Sequence, residues 1–138
     1  MDTKPITEAE LLKMPSKEYM NGAQLIFFRD RLLALKREVA ENASATTDYL
    51  RSAEVLIDPS DRATQEEEQA TELRGRNRDR QLLRKIDEAL ARIEDGRYGY
   101  CEETGEPIGL KRLLARPTAT LTLEAQERQE KRERTRAG

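Results

Sequence analysis

A chain of 138 residues, 38% charged and 36% hydrophobic, has room for one domain but too little apolar material for a large compact core. A net charge of −2 excludes a general positive field for wrapping nucleic acid, the absence of histidine removes the commonest general base and zinc ligand, and a single cysteine excludes an internal disulfide framework. No segment approaches the ~18 apolar residues of a membrane span, and the N-terminus carries no signal-peptide core. A cytoplasmic protein in a reducing compartment is expected.

In chain order, residues 1–20 form the N-terminal part of a base. They include a short helix over "TEAELLKM", with Thr7 as N-cap and acids in its first turn. From Asn21 onward, Leu25, Phe28, Leu32, Leu35, Val39, Asn42, Thr46, Tyr49, Ala53 and Leu56 recur at alternating steps of 3 and 4, a heptad seam whose middle is polar. "IDPSDRA", residues 57–63, follows. Asp58 as N-cap, Pro59 at the first helical position and Asp61 two residues on make a helix start.

The next helix runs to about Asp95, with Ala63, Ala70, Leu73, Leu83, Ile86, Leu90 and Ile93 at helical spacing. "RGRNRDR", from Arg74 to Arg80, interrupts the apolar pattern. Its arginines, at steps of two, spread around a helix and read as a solvated stretch. Gly75 costs about 1 kcal/mol against alanine and predicts a soft middle. Folding this helix back about Asp58-Pro59 pairs residues whose numbers sum to roughly 118. Leu25 then meets Ile93, Phe28 meets Leu90, Leu32 meets Ile86, Leu35 meets Leu83 and Tyr49 lies beside Ala70. The two polar stretches coincide, so two independent patterns agree.

An antiparallel hairpin with arms of about 54 Å must project from something, and the remaining segments supply a base. Residues 96–121 are rich in glycine and turn signals, and residues 122–138 read as a charged, exposed helix. The expected class is therefore mainly all-α. A coiled-coil finger over 21–95, its tip at 57–63, projects from a small globular base that ends in a C-terminal helix. Ile108, Leu110, Leu113, Leu114 and Leu121 are the expected packing residues of the base. Each arm fills the other's seam, so a monomer is expected.

There is no glycine-rich phosphate loop, and no carboxylate pairs with an evident nucleophile, so no enzymatic site is expected. Cys101 is followed by "EET" where a zinc ribbon would carry Cys-x-x-Cys, and Thr104 stands at the second position. A lone thiol holding a turn is the expected role. At the tip two readings stay open. Asp58 and Asp61 cap a helix, or they offer carboxylates to a partner or to metal-bound water.

The chain resembles the DksA family of bacterial transcription regulators. The likeness lies in "EYMNGAQLIFFRDRL", "DPSDRATQEEE", "LRGRNRDRQLLRKI" and "YGYCEETGEPIGLKRLLARPTA", in the family's order from Tyr19 to about Gln126. The resemblance implies a factor that binds RNA polymerase, through its β and β′ subunits, rather than sequence-specific DNA or a membrane. Its finger would enter the secondary channel, and the tip motif Asp-x-x-Asp-x-Ala, met by Asp58, Asp61 and Ala63, would lie near the active site. The implied action is destabilisation of open promoter complexes together with ppGpp in the stringent response. Ribosomal RNA promoters would be repressed and amino-acid biosynthesis promoters activated. A transcript-cleavage factor of the same channel is the alternative, and Arg62 stands where an adjacent acid would be wanted. A structural coiled-coil adaptor is a third reading.

The resemblance also implies a four-cysteine zinc site at Cys101, Thr104, Thr122 and Ala125. Only the first is cysteine, which implies the zinc-free variety of the family, with no stably bound cofactor. For ppGpp it implies a pocket using Arg78, Leu82, Lys85 and Arg116, with Gln126 where the family has a further lysine.

Overall fold

The computed structural model describes residues 5–55 and 62–137; within its helices the side chains of 44–55, 62, 63, 65 and 137 lie outside the description. Among the described residues five α-helices follow in order, α1 (Glu8–Lys13), α2 (Gly22–Val55), α3 (Arg62–Asp95), α4 (Leu110–Ala115) and α5 (Leu123–Ala137), with a 3-10 turn at Ser16–Glu18. Among the described residues there is no strand, only an isolated antiparallel bridge between Tyr100 and Pro107. No helix searched is long and apolar enough to cross a membrane.

The helix ends follow from local chemistry. Thr7 caps α1 by accepting the Glu10 N–H at 3.1 Å, and its hydroxyl donates to Glu10 Oε1 at 3.2 Å. Asn21 caps α2 by accepting the Gln24 N–H at 2.9 Å, while Gln24 Oε1 accepts the Met20 N–H at 2.7 Å. α3 stops at Gly96, whose φ is +75°. The Arg97 N–H reaches the Arg92 carbonyl at 2.9 Å and the Gly96 N–H reaches that of Ile93 at 3.3 Å, the paired bonds of a Schellman ending. Thr122 caps α5 by accepting the Ala125 N–H at 3.2 Å.

The chain divides into two units: residues 33–87, and residues 1–32 with 88–138. In the first, α2 and α3 run antiparallel, and Lys36 Nζ bonds Asp87 Oδ1 at 2.8 Å. Both side chains of that bridge are about half exposed, so it contributes at most about 1 kcal/mol. Leu35 is half-buried, and Val39 and Ile86 are buried.

The seam differs from expectation in its polar part. Ala70 is exposed and Leu73 is 49% exposed. The covered face of α3 instead passes through Gln69, Glu72, Arg76, Asp79, Leu83, Ile86, Leu90 and Ile93, an unbroken alternation of 3 and 4. The "RGRNRDR" stretch is continuous helix, with Arg76 and Asp79 half-buried and Arg74, Arg78 and Arg80 exposed. On α2, Asn42 is exposed and the half-buried position is Ala43. Thr46, Tyr49, Ala53 and Leu56, expected further along this seam, lie outside the described side chains.

The second unit has its own core. Leu11, Gln24, Phe28, Leu32, Tyr98 and Leu113 are fully or almost fully buried, and Cys101, Ile108 and Ala125 are buried beside them. Of the expected packing residues, Ile108 and Leu113 are buried, and Leu110, Leu114 and Leu121 are half-buried. Phe28 stacks at a tilt on Tyr98 with ring centroids 5.6 Å apart. The Tyr98 hydroxyl donates to the Pro117 carbonyl at 2.7 Å, satisfying the polar end of a buried ring. Burial pushes its pKa well above the ordinary tyrosine value.

Candidate functional site

The tip residues Asp58 and Asp61 lie outside the described residues, and of Ala63 only the backbone, in the first turn of α3, is described. Further along α3, Arg78, Leu82 and Lys85 are spaced i, i+4, i+7 and share one face. Arg78 and Lys85 are exposed and Leu82 is half-buried.

Arg116 belongs to the other unit. It is exposed, directly follows α4, and lines an open groove of about 1040 Å³ together with Leu12, Met14, Tyr19, Ile108 and Lys111. Gln126 is half-buried and donates from Nε2 to Glu130 Oε1 at 3.0 Å.

The four positions of the expected degenerate metal site do come together. The Cys101 N–H bonds the Glu106 carbonyl and the Gly105 N–H bonds the Cys101 carbonyl, each at 2.8 Å, which closes a tight turn around the thiol. Thr104 Oγ1 accepts the Glu106 N–H at 3.2 Å. The Thr122 hydroxyl donates to Cys101 Sγ at 3.9 Å, and Ala125, fully buried, bonds Thr122 through its N–H. The donor set is one thiol, two hydroxyls already engaged and a methyl group. Tetrahedral zinc takes thiolate, imidazole or carboxylate, so these residues do not fit it. Among the described residues no cluster of three or more His, Cys, Asp or Glu offers another cradle.

The same turn perturbs the thiol. Burial raises its pKa, but donation from the Thr104 hydroxyl and from the backbone N–H groups of Thr122, Thr104 and Glu103 outweighs this and brings it from 9.0 down to about 7. The unfolded chain therefore binds more protons across that interval, so this contribution to stability grows as pH rises from about 7 to about 9 and is lost as pH falls through the folded value. We predict that thiolate absorbance of the folded protein titrates with a midpoint about 7, and that the stability gain over this interval disappears in Cys101→Ser. A midpoint at the ordinary thiol value would contradict the hydrogen-bonded turn.

Two features of this unit have no signal in the apolar pattern. Tyr19 joins three segments. Its hydroxyl donates to the Gly99 carbonyl at 2.6 Å and accepts the Gly109 N–H at 2.9 Å, and its ring meets Tyr100 edge-on. Arg92 is buried, with Nη1 3.7 Å from Glu102 Oε1. Its position one turn before the Gly96 stop is the only sequence cue to its burial.

The comparisons with known proteins agree across the chain. Residues 24–93 match the family described as DnaK suppressor protein DksA, N-terminal domain, and residues 96–131 match the prokaryotic dksA/traR C4-type zinc finger. The chain is 54% identical over 123 residues to an RNA polymerase-binding transcription factor DksA of Caulobacter vibrioides, spanning 87% of both proteins. It is 44% identical over 125 residues to the protein of that name from Escherichia coli K12, spanning 90% of this chain and 83% of the relative. Transcription factor DksA2 from Pseudomonas aeruginosa superposes with a TM-score of 0.85 at 52% identity, over 93% of this chain and 99% of that one. The zinc-finger match spans the segment that holds Cys101, the one cysteine of the chain. With both of its segments matched and close relatives covered over most of their length, this chain belongs to the DksA family.

Proposed function

We propose that this protein binds RNA polymerase and regulates transcription initiation as a non-enzymatic cytoplasmic factor. The observation that carries the proposal is the 54% identity, over most of both chains, to a protein named for polymerase binding. The finger, residues 21–95, enters the secondary channel and carries Asp58, Asp61 and Ala63 to the neighbourhood of the polymerase active site. There it shortens the lifetime of open complexes without cleaving RNA. The base, residues 1–20 and 96–121, and the helix over 122–138 remain outside the channel and need no zinc, since the donor set around Cys101 does not suit the metal.

The alarmone ppGpp acts at the interface with polymerase. Arg78 and Lys85 on one face of α3, and Arg116 beyond α4, are the groups that pair its phosphates. Gln126 supplies no charge and is engaged with Glu130, but Lys111 lines the same groove as Arg116. We expect ppGpp to potentiate the factor and Arg116→Ala to weaken that response about 10-fold, corresponding to about 1.4 kcal/mol.

The decisive measurement is in vitro transcription from a ribosomal RNA promoter with polymerase and this protein, with and without ppGpp. Reduced product and shorter-lived open complexes support the proposal. Shortened transcripts in stalled elongation complexes would instead establish the cleavage reading.

A further inference from the structure

We propose that one face of α5 is a docking surface for a short acidic segment of a partner protein. Arg128, Lys131, Arg132 and Arg136 are spaced i, i+3, i+4, i+8, which places them within an arc of about 140° on the helix. With Thr135 they line a shallow groove of about 450 Å³. All four are exposed.

Their charge is only partly offset. Arg128 and Arg132 share a single carboxylate, Glu103, at 3.7 and 3.5 Å, and neither Lys131 nor Arg136 forms an ion pair among the described residues. Arg128, Arg132 and Arg136 rise about 6 Å apart along the axis, a ladder that matches carboxylates one turn apart on a helical partner.

Charge also decides the class of partner. Glu130 occupies the opposite side of α5, Glu127 and Glu133 flank the stripe four residues before Lys131 and three before Arg136, and Glu124 bounds it at its N-terminal end. A duplex, with phosphates along its whole length, would meet these carboxylates as well as the cations, and the chain as a whole is net negative. A short acidic segment can lie along the line of Arg128, Arg132 and Arg136, between the flanking glutamates. Because the pairs are exposed, binding is weak and screened by salt.

The test is fluorescence anisotropy with the full-length protein and a labelled helical peptide bearing glutamates at i and i+4 through three turns, compared with a duplex DNA of similar length. The peptide is expected to bind and the duplex to bind more weakly. The double variant Lys131→Gln, Arg136→Gln should weaken peptide binding about 10-fold. Arg134→Glu removes the same net charge from the other side of the helix and should change it less than about twofold. Circular dichroism checks that α5 persists, as expected for glutamine and glutamate in a helix. Absence of peptide binding overturns the proposal, as does tighter binding of the duplex or an equal effect of Arg134→Glu. No polymerase is present, so each outcome leaves the polymerase reading to its own test.

Discussion

Asp61→Asn is expected to abolish regulation of initiation while polymerase binding survives. Asparagine keeps the size of aspartate and caps helices about as well, so the start of α3 should stand. What changes is the charge, and with it a group that only accepts hydrogen bonds becomes one that also donates. If the tip acts by presenting a carboxylate near the polymerase active site, the shortening of open-complex lifetime should fall at least about 10-fold, near 1.4 kcal/mol. The measurement is open-complex lifetime at a ribosomal promoter at saturating factor, with competition against wild type to confirm binding. Asp58 is tested by a pair of substitutions. If Asp58 serves as the cap, Asp58→Asn keeps activity while Asp58→Ala loses about 0.5–2 kcal/mol of stability. If its carboxylate meets polymerase, Asp58→Asn loses activity at unchanged stability. Normal regulation by both asparagine variants would falsify the tip mechanism.

The largest effect on folding is expected at Gly99. Its φ of +91° lies where side chains are strained, and an added Cβ would stand 2.7 Å from Met20 Sδ and 2.8 Å from Met20 Cγ. Relief has to come from rotation of the Met20 side chain, since its backbone is fixed. Its own φ is +58°, and its N–H is held by the buried Gln24 side chain. Gly99 also accepts the Tyr19 hydroxyl and the Ile108 N–H at its carbonyl, so any shift of its backbone disturbs both bonds. Backbone strain of about 1–3 kcal/mol and overpacking of about 1–3 kcal/mol add to a loss comparable with much of a small domain's stability. Gly99→Ala should therefore lower the urea midpoint severely. Gly96→Ala is the control, because Gly96 has a positive φ but open space around its Cβ position, and it should cost only the backbone part. Equal effects at the two glycines would show that the Met20 contact does not matter.

Much of the helical organisation was legible from periodicity. Positions 25, 28, 32, 35 and 39 on α2, and 83, 86, 90 and 93 on α3, are buried or half-buried as the heptad spacing implies, because helix geometry repeats the same face every seven residues. The cap at Thr7 followed from equally local chemistry. Periodicity misplaced the middle of α3, where apolar Ala70 and Leu73 were expected to be covered. The helix carries its face onward at 3.6 residues per turn whatever the side chains are, so Gln69, Glu72, Arg76 and Asp79 occupy the stripe and Leu73 faces outward.

The setting of Cys101 was half legible. A lone thiol is visible in a string of letters, but its depressed pKa depends on the Thr104 hydroxyl and on N–H groups of Thr122, Thr104 and Glu103 that reach the sulfur only once the chain has folded. The sequence by itself determined the two long helices, their antiparallel return, the cap at Thr7 and the family, all of which rest on neighbours within a few turns or on whole-chain similarity. Only the tertiary structure decided that Tyr19 joins Gly99 to Gly109, that Met20 stands where a Gly99 side chain would go, and that two arginines of α5 share Glu103. Those contacts join groups up to 90 residues apart in the chain, and hydrogen bonding and close packing between such groups leave no period to read.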